Sequence, residues 1–144
     1  MIRLERSGTA LPAGFAALQA EARAEGFGML DVLAAQWVAG RNRFDRDGEA
    51  LFAGYMDEKL AGIGGLTIDP YFPGALRMRR FYVRQAFRRH GVGRAIAGAL
   101  LASTGRIVPV NAAPGSETFW ESLGFAPDRR ERQTHALMRA LSVP

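Results

Sequence analysis

A strand pattern, a glycine-containing turn and a helical pattern follow one another between residues 76 and 101. Residues 76–83 mix apolar with basic side chains and end in Phe81-Tyr82-Val83, a composition typical of a strand. Apolar residues from Ala95 onward recur at helical spacing, so we predict a helix that begins near Gly93 or Arg94. This arrangement constrains the fold, because the strand and the helix must pack on each other across a tight turn.

The turn itself reads Arg88-Arg89-His90-Gly91-Val92-Gly93-Arg94. Two glycines allow a sharp backbone turn and a close approach to a ligand. The helix N-terminus that follows presents free N–H groups and favours a phosphate. The pattern is neither a Walker loop nor a dinucleotide fingerprint. An ordinary strand–turn–helix with solvated arginines is the alternative interpretation.

Two sequence blocks resemble the GNAT (Gcn5-related) N-acetyltransferases. Arg88-x-x-Gly91-x-Gly93 is similar to the acetyl-CoA-binding signature of that family, and Phe81-Tyr82-Val83 lies at the expected distance before it. The block from Phe119 to Phe125 resembles the family's late helix, which ends in Leu-Gly-Phe. The resemblance covers residues 76–125 and implies an acetyl-CoA-dependent N-acetyltransferase, with acetyl-CoA as co-substrate.

The order of predicted elements agrees with this resemblance. We predict strands at 1–6, 50–56, 60–68, 76–83 and 106–111, helices at 11–25, 29–38, about 93–101 and 116–123, and a final hairpin with one arm at 134–141. Pro109 predicts a bulge or an edge position for its strand. The fold class is therefore α+β. The resemblance implies the GNAT fold, a mixed and mostly antiparallel sheet with splayed central strands flanked by helices.

Composition limits the other classes of function. The 144 residues, 48% of them apolar, predict one domain over 1–144. There is no cysteine, and His90 and His135 are the only histidines, so we expect no metal site. No stretch predicts a membrane span or a signal peptide, and we expect a cytoplasmic protein.

The net charge of +5 is carried almost entirely by arginine, since Lys59 is the only lysine. A basic chain can bind nucleic acid. The arginines concentrate between Arg77 and Arg94, around the glycine-containing turn at 88–94, which we call the phosphate turn. The chain has neither a basic tail nor a recognition-helix or RNP-like pattern. We therefore expect no nucleic-acid partner and retain that function only as a third hypothesis.

The resemblance also implies roles for individual residues. The backbone N–H of Phe81 would stabilise the oxyanion, and the pantetheine arm would lie along residues 81–83. The implied cofactor-binding residues are Phe81, Tyr82, Val83, Arg88, Arg89, His90, Gly91, Val92, Gly93, Arg94, Asn111 and Phe119.

The resemblance also implies an acceptor pocket beside the break between the first two helices. Its candidate residues are Phe27, Tyr71, Arg77 and Arg79. Arg77 and Arg79 share one face of their strand by alternation, which predicts an acceptor that carries a carboxylate or a phosphate. A small molecule or a peptide could supply the primary amine.

Two positions depart from the family pattern. Trp120 stands where many relatives have a tyrosine that protonates the thiolate, and Arg77 stands where some have a glutamate base. Tyr82, Asp69 and Glu117 are candidate catalytic replacements, although strand packing, turn chemistry and the helix dipole explain each of them equally well. The second hypothesis is therefore a non-catalytic acyl-CoA-binding or regulatory module on the same fold. A homodimer formed through the last strand is compatible with either function.

Overall fold

Residues 1–139 are described by this computed structural model, and they form seven strands and four α-helices. The strands are β1 (Ile2–Arg6), β2 (Ala50–Met56), β3 (Lys59–Ile68), β4 (Leu76–Val83), β5 (Val108–Val110), β6 (Ala126–Arg130) and β7 (Gln133–Leu137). The helices are α1 (Phe15–Ala24), α2 (Met29–Val38), α3 (Val92–Ala102) and α4 (Glu117–Ser122), and one 3-10 turn (Gln85–Phe87) precedes α3.

All seven strands belong to one sheet in the order β1-β2-β3-β4-β5-β7-β6. Neighbouring strands are antiparallel except β4 and β5, which run parallel. The ladder between β4 and β5 is a single residue pair, Met78 with Val110. The prediction of a mixed, mostly antiparallel sheet with splayed central strands is therefore confirmed.

Each face of the sheet carries its own hydrophobic core. Helices α1 and α2 cover one face through Leu18, Leu30 and Leu33, which are fully buried. Helices α3 and α4 cover the other face, where Ile96 and Leu100 are fully buried side chains of α3. In each helix these apolar residues recur at helical spacing, so burial of one stripe explains both the helix and its position on the sheet.

Two expectations about local structure differ from what is found. Helix α1 begins at Phe15, later than predicted, because Gly14 has a left-handed backbone (φ 87°) that interrupts the helix after Pro12. Pro109 lies in an inner strand rather than at an edge. Strand β5 tolerates a residue without an N–H group because only its residue Val110 pairs with β4. The final hairpin is present, but the predicted arm at 134–141 extends beyond the described residues.

Candidate functional site

A cavity of about 1020 Å³ opens where β4 and β5 separate. Its walls are β4, the turn and first residues of α3, the β5–α4 connection, and the break between α1 and α2. The cavity therefore lies where the sequence predicts both a cofactor turn and an acceptor pocket.

The turn before α3 is built as an open helix N-terminus. Gly91 has φ 89°, a left-handed backbone that favours glycine, and Val92 begins the helix. The residue at the helix cap, Gly91, has no side chain that accepts from the first N–H groups of the helix. Space at Gly93 is tight, since a Cβ there would lie 3.3 Å from Cζ of Phe119, closer than most real Cβ contacts. Free N–H groups and a helix dipole in this arrangement favour a phosphate.

A β-bulge interrupts β4 beside this turn. Arg79 pairs with Gly65 and Tyr82 pairs with Ile63, so three residue steps on β4 face two on β3. Arg80 carries the bulge in a left-handed conformation (φ 58°) that is strained for a residue with a side chain. On its other edge, β4 has no partner beyond Met78 within the described residues. The backbone of residues 81–83 is therefore free to pair with an extended ligand on the cavity side.

The side chain of Phe81 fixes the position of this backbone. Its ring packs edge-on against Trp120, with ring centroids 5.0 Å apart, and tilted against Phe119, with centroids 6.0 Å apart. Trp120 is buried and also packs against Phe125. The indole thus occupies the interior of an aromatic cluster, at the position where the sequence resemblance implies a tyrosine.

Most of the residues predicted to bind the cofactor line the cavity. These are Phe81, Tyr82, Val83, Arg88, Arg89, Gly91, Val92, Gly93, Arg94, Asn111 and Phe119. His90 is the exception, because it is exposed and lies outside the cavity wall. Of the predicted acceptor residues, Phe27, Arg77 and Arg79 line the cavity, and Tyr71 does not.

Tyr82 is a buried member of the core under α1 and α2. Its hydroxyl donates to the carboxylate of Glu25, with an oxygen–oxygen distance of 2.6 Å. Burial raises the pKa of the Tyr82 phenol, and the hydrogen bond to Glu25 raises it further. A phenol with a raised pKa is a poorer proton donor, so the geometry favours a structural contact for this side chain.

Asp69 forms a buried ion pair. Its Oδ2 accepts from Nε of Arg77 at 3.0 Å, and the two side chains are 0% and 3% exposed. Its Oδ1 accepts from the backbone N–H groups of Tyr71 and Phe72 at 2.7 and 3.0 Å. The carboxylate is thus fully used in holding the β3–β4 loop, and Asp69 does not line the cavity.

Glu117 and Tyr71 also lie outside the cavity wall. The Glu117 carboxylate accepts from the backbone N–H of Gly115 at 3.1 and 3.2 Å, at the start of α4. Tyr71 is exposed, and its ring centroid lies 5.6 Å from Cζ of Arg77. Their contacts are those of turn and loop residues.

Three charged residues that line the cavity or support its wall were not predicted from the sequence. Glu25 links Tyr82 to Arg88, whose Nη2 donates to the same carboxylate at 2.5 Å. Arg80 lines the cavity because of the bulge, and Arg132 reaches it from the β6–β7 turn, where its carbonyl accepts from Nη1 of Arg77. No sequence spacing connects Glu25 or Arg132 with residues 76–94, whereas the run of basic residues through Arg80 was a visible signal.

Within residues 1–139, no helix has the length and hydrophobicity needed to cross a membrane. In the same part of the chain, no three His, Cys, Asp or Glu side chains come together as a metal site would require.

Solved structures with the same fold come from several bacteria and from a plant. A solved structure from Exiguobacterium sp. 255-15 superposes with a TM-score of 0.85 at 22% identity, covering 95% of this chain and 93% of the other. The N-acetyltransferase YlbP of Bacillus subtilis, solved with coenzyme A, has a TM-score of 0.64 at 17% identity, and 97% of both chains is covered. Glucosamine-6-phosphate N-acetyltransferase of Arabidopsis thaliana has a TM-score of 0.61 at 14% identity, covering 90% of this chain and 95% of the other. These TM-scores show that the structures share a common fold.

Family membership follows from the sequence itself. No curated protein matches this chain. The family model of the acetyltransferase (GNAT) domain matches residues 18–139, which include both of the blocks that carry the resemblance. Acetyl-CoA is the co-substrate of that family. This chain belongs to the GNAT acetyltransferase family.

Proposed function

We propose that this protein transfers an acetyl group from acetyl-CoA to a primary amine of a small molecule or peptide. The observation that carries the proposal is the geometry of one cavity, in which an uncapped helix N-terminus lies beside an unpaired stretch of strand edge. The first feature suits a pyrophosphate and the second suits the amide groups of a pantetheine arm.

In this proposal the phosphates bind the backbone of residues 89–94, and the pantetheine arm pairs with residues 81–83. Asn111 and Phe119 flank the arm from the other side of the cavity. The acetyl carbonyl then lies at the bulge, where Phe81 has no partner on β3. Its N–H group donates to the carbonyl oxygen as negative charge develops there.

The reaction needs little further chemistry. The neutral amine attacks the thioester carbon, the carbon–sulfur bond breaks, and the amine loses one proton while the thiolate gains one. Among residues 1–139, no Asp, Glu or His side chain lines the cavity, so we propose that water carries both protons. The arginines of the wall favour the neutral form of the amine, because a nearby positive charge lowers the pKa of an ammonium group.

Calorimetry with acetyl-CoA tests the binding part of this proposal. The native protein should bind acetyl-CoA, and Gly91→Glu should abolish binding, because it places a carboxylate at the phosphate site and a side chain at φ 89°. Gly98→Glu is the matched control, since Gly98 lies on the exposed side of the same helix and a Cβ there would have no atom within 4 Å. Gly91→Asn tolerates the left-handed backbone without adding charge, and it should bind more weakly than the native protein. A native protein that does not bind acetyl-CoA would overturn the proposal.

A second candidate function is a non-catalytic acyl-CoA-binding module. Trp120 supports it, because the buried indole cannot protonate a thiolate and no acidic side chain among the described residues replaces it in the cavity. Release of free thiol from acetyl-CoA in the presence of an amine panel separates the two functions. Amine-dependent release supports the enzyme, and tight binding without release supports the module.

A further inference from the structure

Three arginines of β4 converge on one wall of the cavity. Arg77 and Arg79 share one face of β4, as alternation predicts, and α1 and α2 cover that face, since Leu76 and Met78 belong to the opposite core. The bulge turns Arg80 toward the same face, where its Nη2 donates to Oε1 of Gln36 on α2 at 3.1 Å. All three line the cavity, so the wall nearest the proposed acceptor is strongly positive.

The charge of this wall is only partly neutralised. Asp69 pairs with Arg77, but neither Arg79 nor Arg80 forms an ion pair with any described residue. Nη2 of Arg77 and Nε of Arg80 are buried and have no hydrogen-bond partner within residues 1–139. Both atoms are shielded from solvent, so an anion in the cavity would contact other donors, in particular the half-buried guanidinium of Arg79, which has no hydrogen-bond partner among the described residues.

The electrostatics of the two half-buried arginines agree with this geometry. Burial lowers the pKa of Arg80 to about 10, and the positive charge of Arg79 contributes to this decrease. Burial also lowers the pKa of Arg79, and repulsion from the positive charge of Arg77 lowers it further. A bound anion would relieve both effects, since an opposite charge favours the protonated guanidinium.

The distance to the reacting centre is short. Arg80 is adjacent in sequence to Phe81, whose N–H is the proposed oxyanion donor, and Arg79 is one residue further. A strand rises about 3.3 Å per residue, so an anion held by these side chains lies within a small molecule's length of the amine.

We propose that the acceptor is a primary amine with a carboxylate or phosphate a few bonds away, bound by Arg79 and Arg80 and supported by the Arg77–Asp69 pair. This inference rests on the proposed acetyl transfer. The wall repels a second cationic group on the acceptor, so polyamines are excluded as good substrates. Guanidinium groups bind both carboxylates and phosphates through paired hydrogen bonds, and the experiment must distinguish the two.

Acetyl transfer to four small amines tests the inference. They share an aminoethyl or aminopropyl chain and differ in charge: ethanolamine, O-phosphoethanolamine, β-alanine and 1,3-diaminopropane. We expect kcat/KM for at least one of the two anionic amines to exceed that of ethanolamine by about tenfold or more, because a charge-assisted hydrogen bond contributes at this level. The better of the two anionic amines identifies the anion. If kcat/KM for ethanolamine equals that for both anionic amines, or if the diamine is preferred, the inference is overturned, although acetyl transfer itself is not.

Substitution of the arginines tests the assignment of residues. Arg79→Met and Arg80→Met should each lower kcat/KM for the preferred anionic amine by about ten- to a hundredfold, and that for ethanolamine much less. Arg129→Met removes the same charge from an exposed position on β6 outside the cavity, and it should change neither value. An unchanged preference in both cavity variants would contradict the assignment.

A binding experiment decides the matter if no amine is acetylated. Inorganic phosphate and acetate are titrated into protein saturated with coenzyme A, so that the phosphate turn of α3 is occupied. The anion site is supported if Arg79→Met and Arg80→Met each weaken anion binding at least about tenfold while Arg129→Met binds like the native protein. This result would support the anion site even though acetyl transfer has failed. No binding of either anion to the saturated native protein, or equal binding by all variants, overturns the inference.

Discussion

Two neighbouring glycines of β3 each accept an aromatic ring, from opposite faces of the sheet. A Cβ on Gly64 would lie 2.4 Å from Cδ2 of Phe81, and one on Gly65 would lie 2.4 Å from Cε1 of Phe44. Real Cβ atoms do not approach other atoms so closely, so both positions require glycine for space. The ring on Gly64 belongs to the residue whose backbone is proposed to bind the acetyl group.

Gly64→Ala should therefore lower both stability and cofactor affinity. We expect a loss of about 1–3 kcal/mol in the free energy of unfolding, the usual cost of an extra methyl group in a packed core. Gly98→Ala is the control, because Gly98 is an exposed helical position and alanine there should stabilise by about 0.5–1 kcal/mol. Urea unfolding and acetyl-CoA titration measure the two effects. Native affinity in the Gly64 variant would show that the Phe81 ring does not position the backbone.

Asp69 provides a second test at this scale. Asp69→Asn should lower the free energy of unfolding by about 3–5 kcal/mol, because it leaves the buried Arg77 charge without its partner. Asp128→Asn breaks an exposed pair with Arg130 and should cost less than about 1 kcal/mol. Unfolding curves give the stabilities, and acetyl transfer is measured where both variants are folded. A stable but inactive Asp69 variant would favour a catalytic role for this carboxylate.

Local pattern predicts some of these residues and misses others for a physical reason. The positions of Gly91 and Gly93 follow from a spacing of two in a known motif, and the structure places both at the cavity. Alternation along β4 correctly placed Arg77 and Arg79 on one face. It could not place Arg80, since a bulge depends on how β3 pairs with β4, which is a property of two strands.

At the scale of elements, the C-terminal end of α1 is hydrogen-bonded to β4 and to the phosphate turn. Glu25 lies one residue beyond α1 and accepts from both Tyr82 and Arg88, whose Nε in turn donates to the carbonyl of Val83 at 2.9 Å. Glu21 makes a parallel link, accepting from the backbone N–H of Gln85 at 3.0 Å. These contacts connect the helix beside the proposed acceptor side of the cavity with the turn proposed to bind the cofactor.

This link should make stability depend on pH. The hydrogen bonds from Arg88 and Tyr82 lower the pKa of Glu25 below its ordinary value of 4.5. A lowered folded-state pKa gives a stabilisation that is present above the ordinary pKa and is lost as the pH falls through the folded value. Native protein should therefore exceed Glu25→Gln in stability at pH 7, and the difference should shrink below about pH 4.

Urea unfolding between about pH 7 and pH 3 measures this difference. Glu131→Gln, in the exposed β6–β7 turn, is the control and should show no comparable trend. A stability difference for Glu25→Gln that stays constant over the whole range would show that its ionisation is not linked to folding.

The limits of most elements could be predicted from the chain. The bounds of α2, β2 and β4 agree with their periodicity, because each is flanked by glycine or by polar turn residues. Strand β5 is shorter than the apolar pattern around Pro109 indicated, since its length is set by where β4 diverges from it. The contact between the end of α1 and the phosphate turn could not be predicted either. It joins Glu25 and Arg88, which lie 63 positions apart, and no local pattern connects residues at that separation.

For the whole molecule, the separation of β4 from β5 concentrates ligand-dependent change at one place. Residues 81–83 have an open strand edge, and α3 begins without a side-chain cap. Backbone groups of this kind exchange their amide hydrogens readily, and a ligand that binds them slows the exchange.

Hydrogen exchange with and without coenzyme A should show this pattern. We expect amides within 81–83 and 92–94 to exchange at least about tenfold more slowly in the complex, a change that matches direct occupation of their N–H groups. The β2–β3 turn at Asp57 and Glu58 is remote from the cavity and provides the internal control. Equal slowing in the turn and the cavity would indicate general stabilisation in place of a localised binding site.

The division of the core into two halves has a spectroscopic consequence. The chain has two tryptophans, and the structure buries Trp37 in the core under α1 and α2 and Trp120 in the core under α3 and α4. Each indole is therefore an optical probe of one side of the sheet. Variants that keep a single tryptophan would show by their emission whether the two sides unfold together, and Trp120, which also lines the cavity, would report the arrival of a ligand.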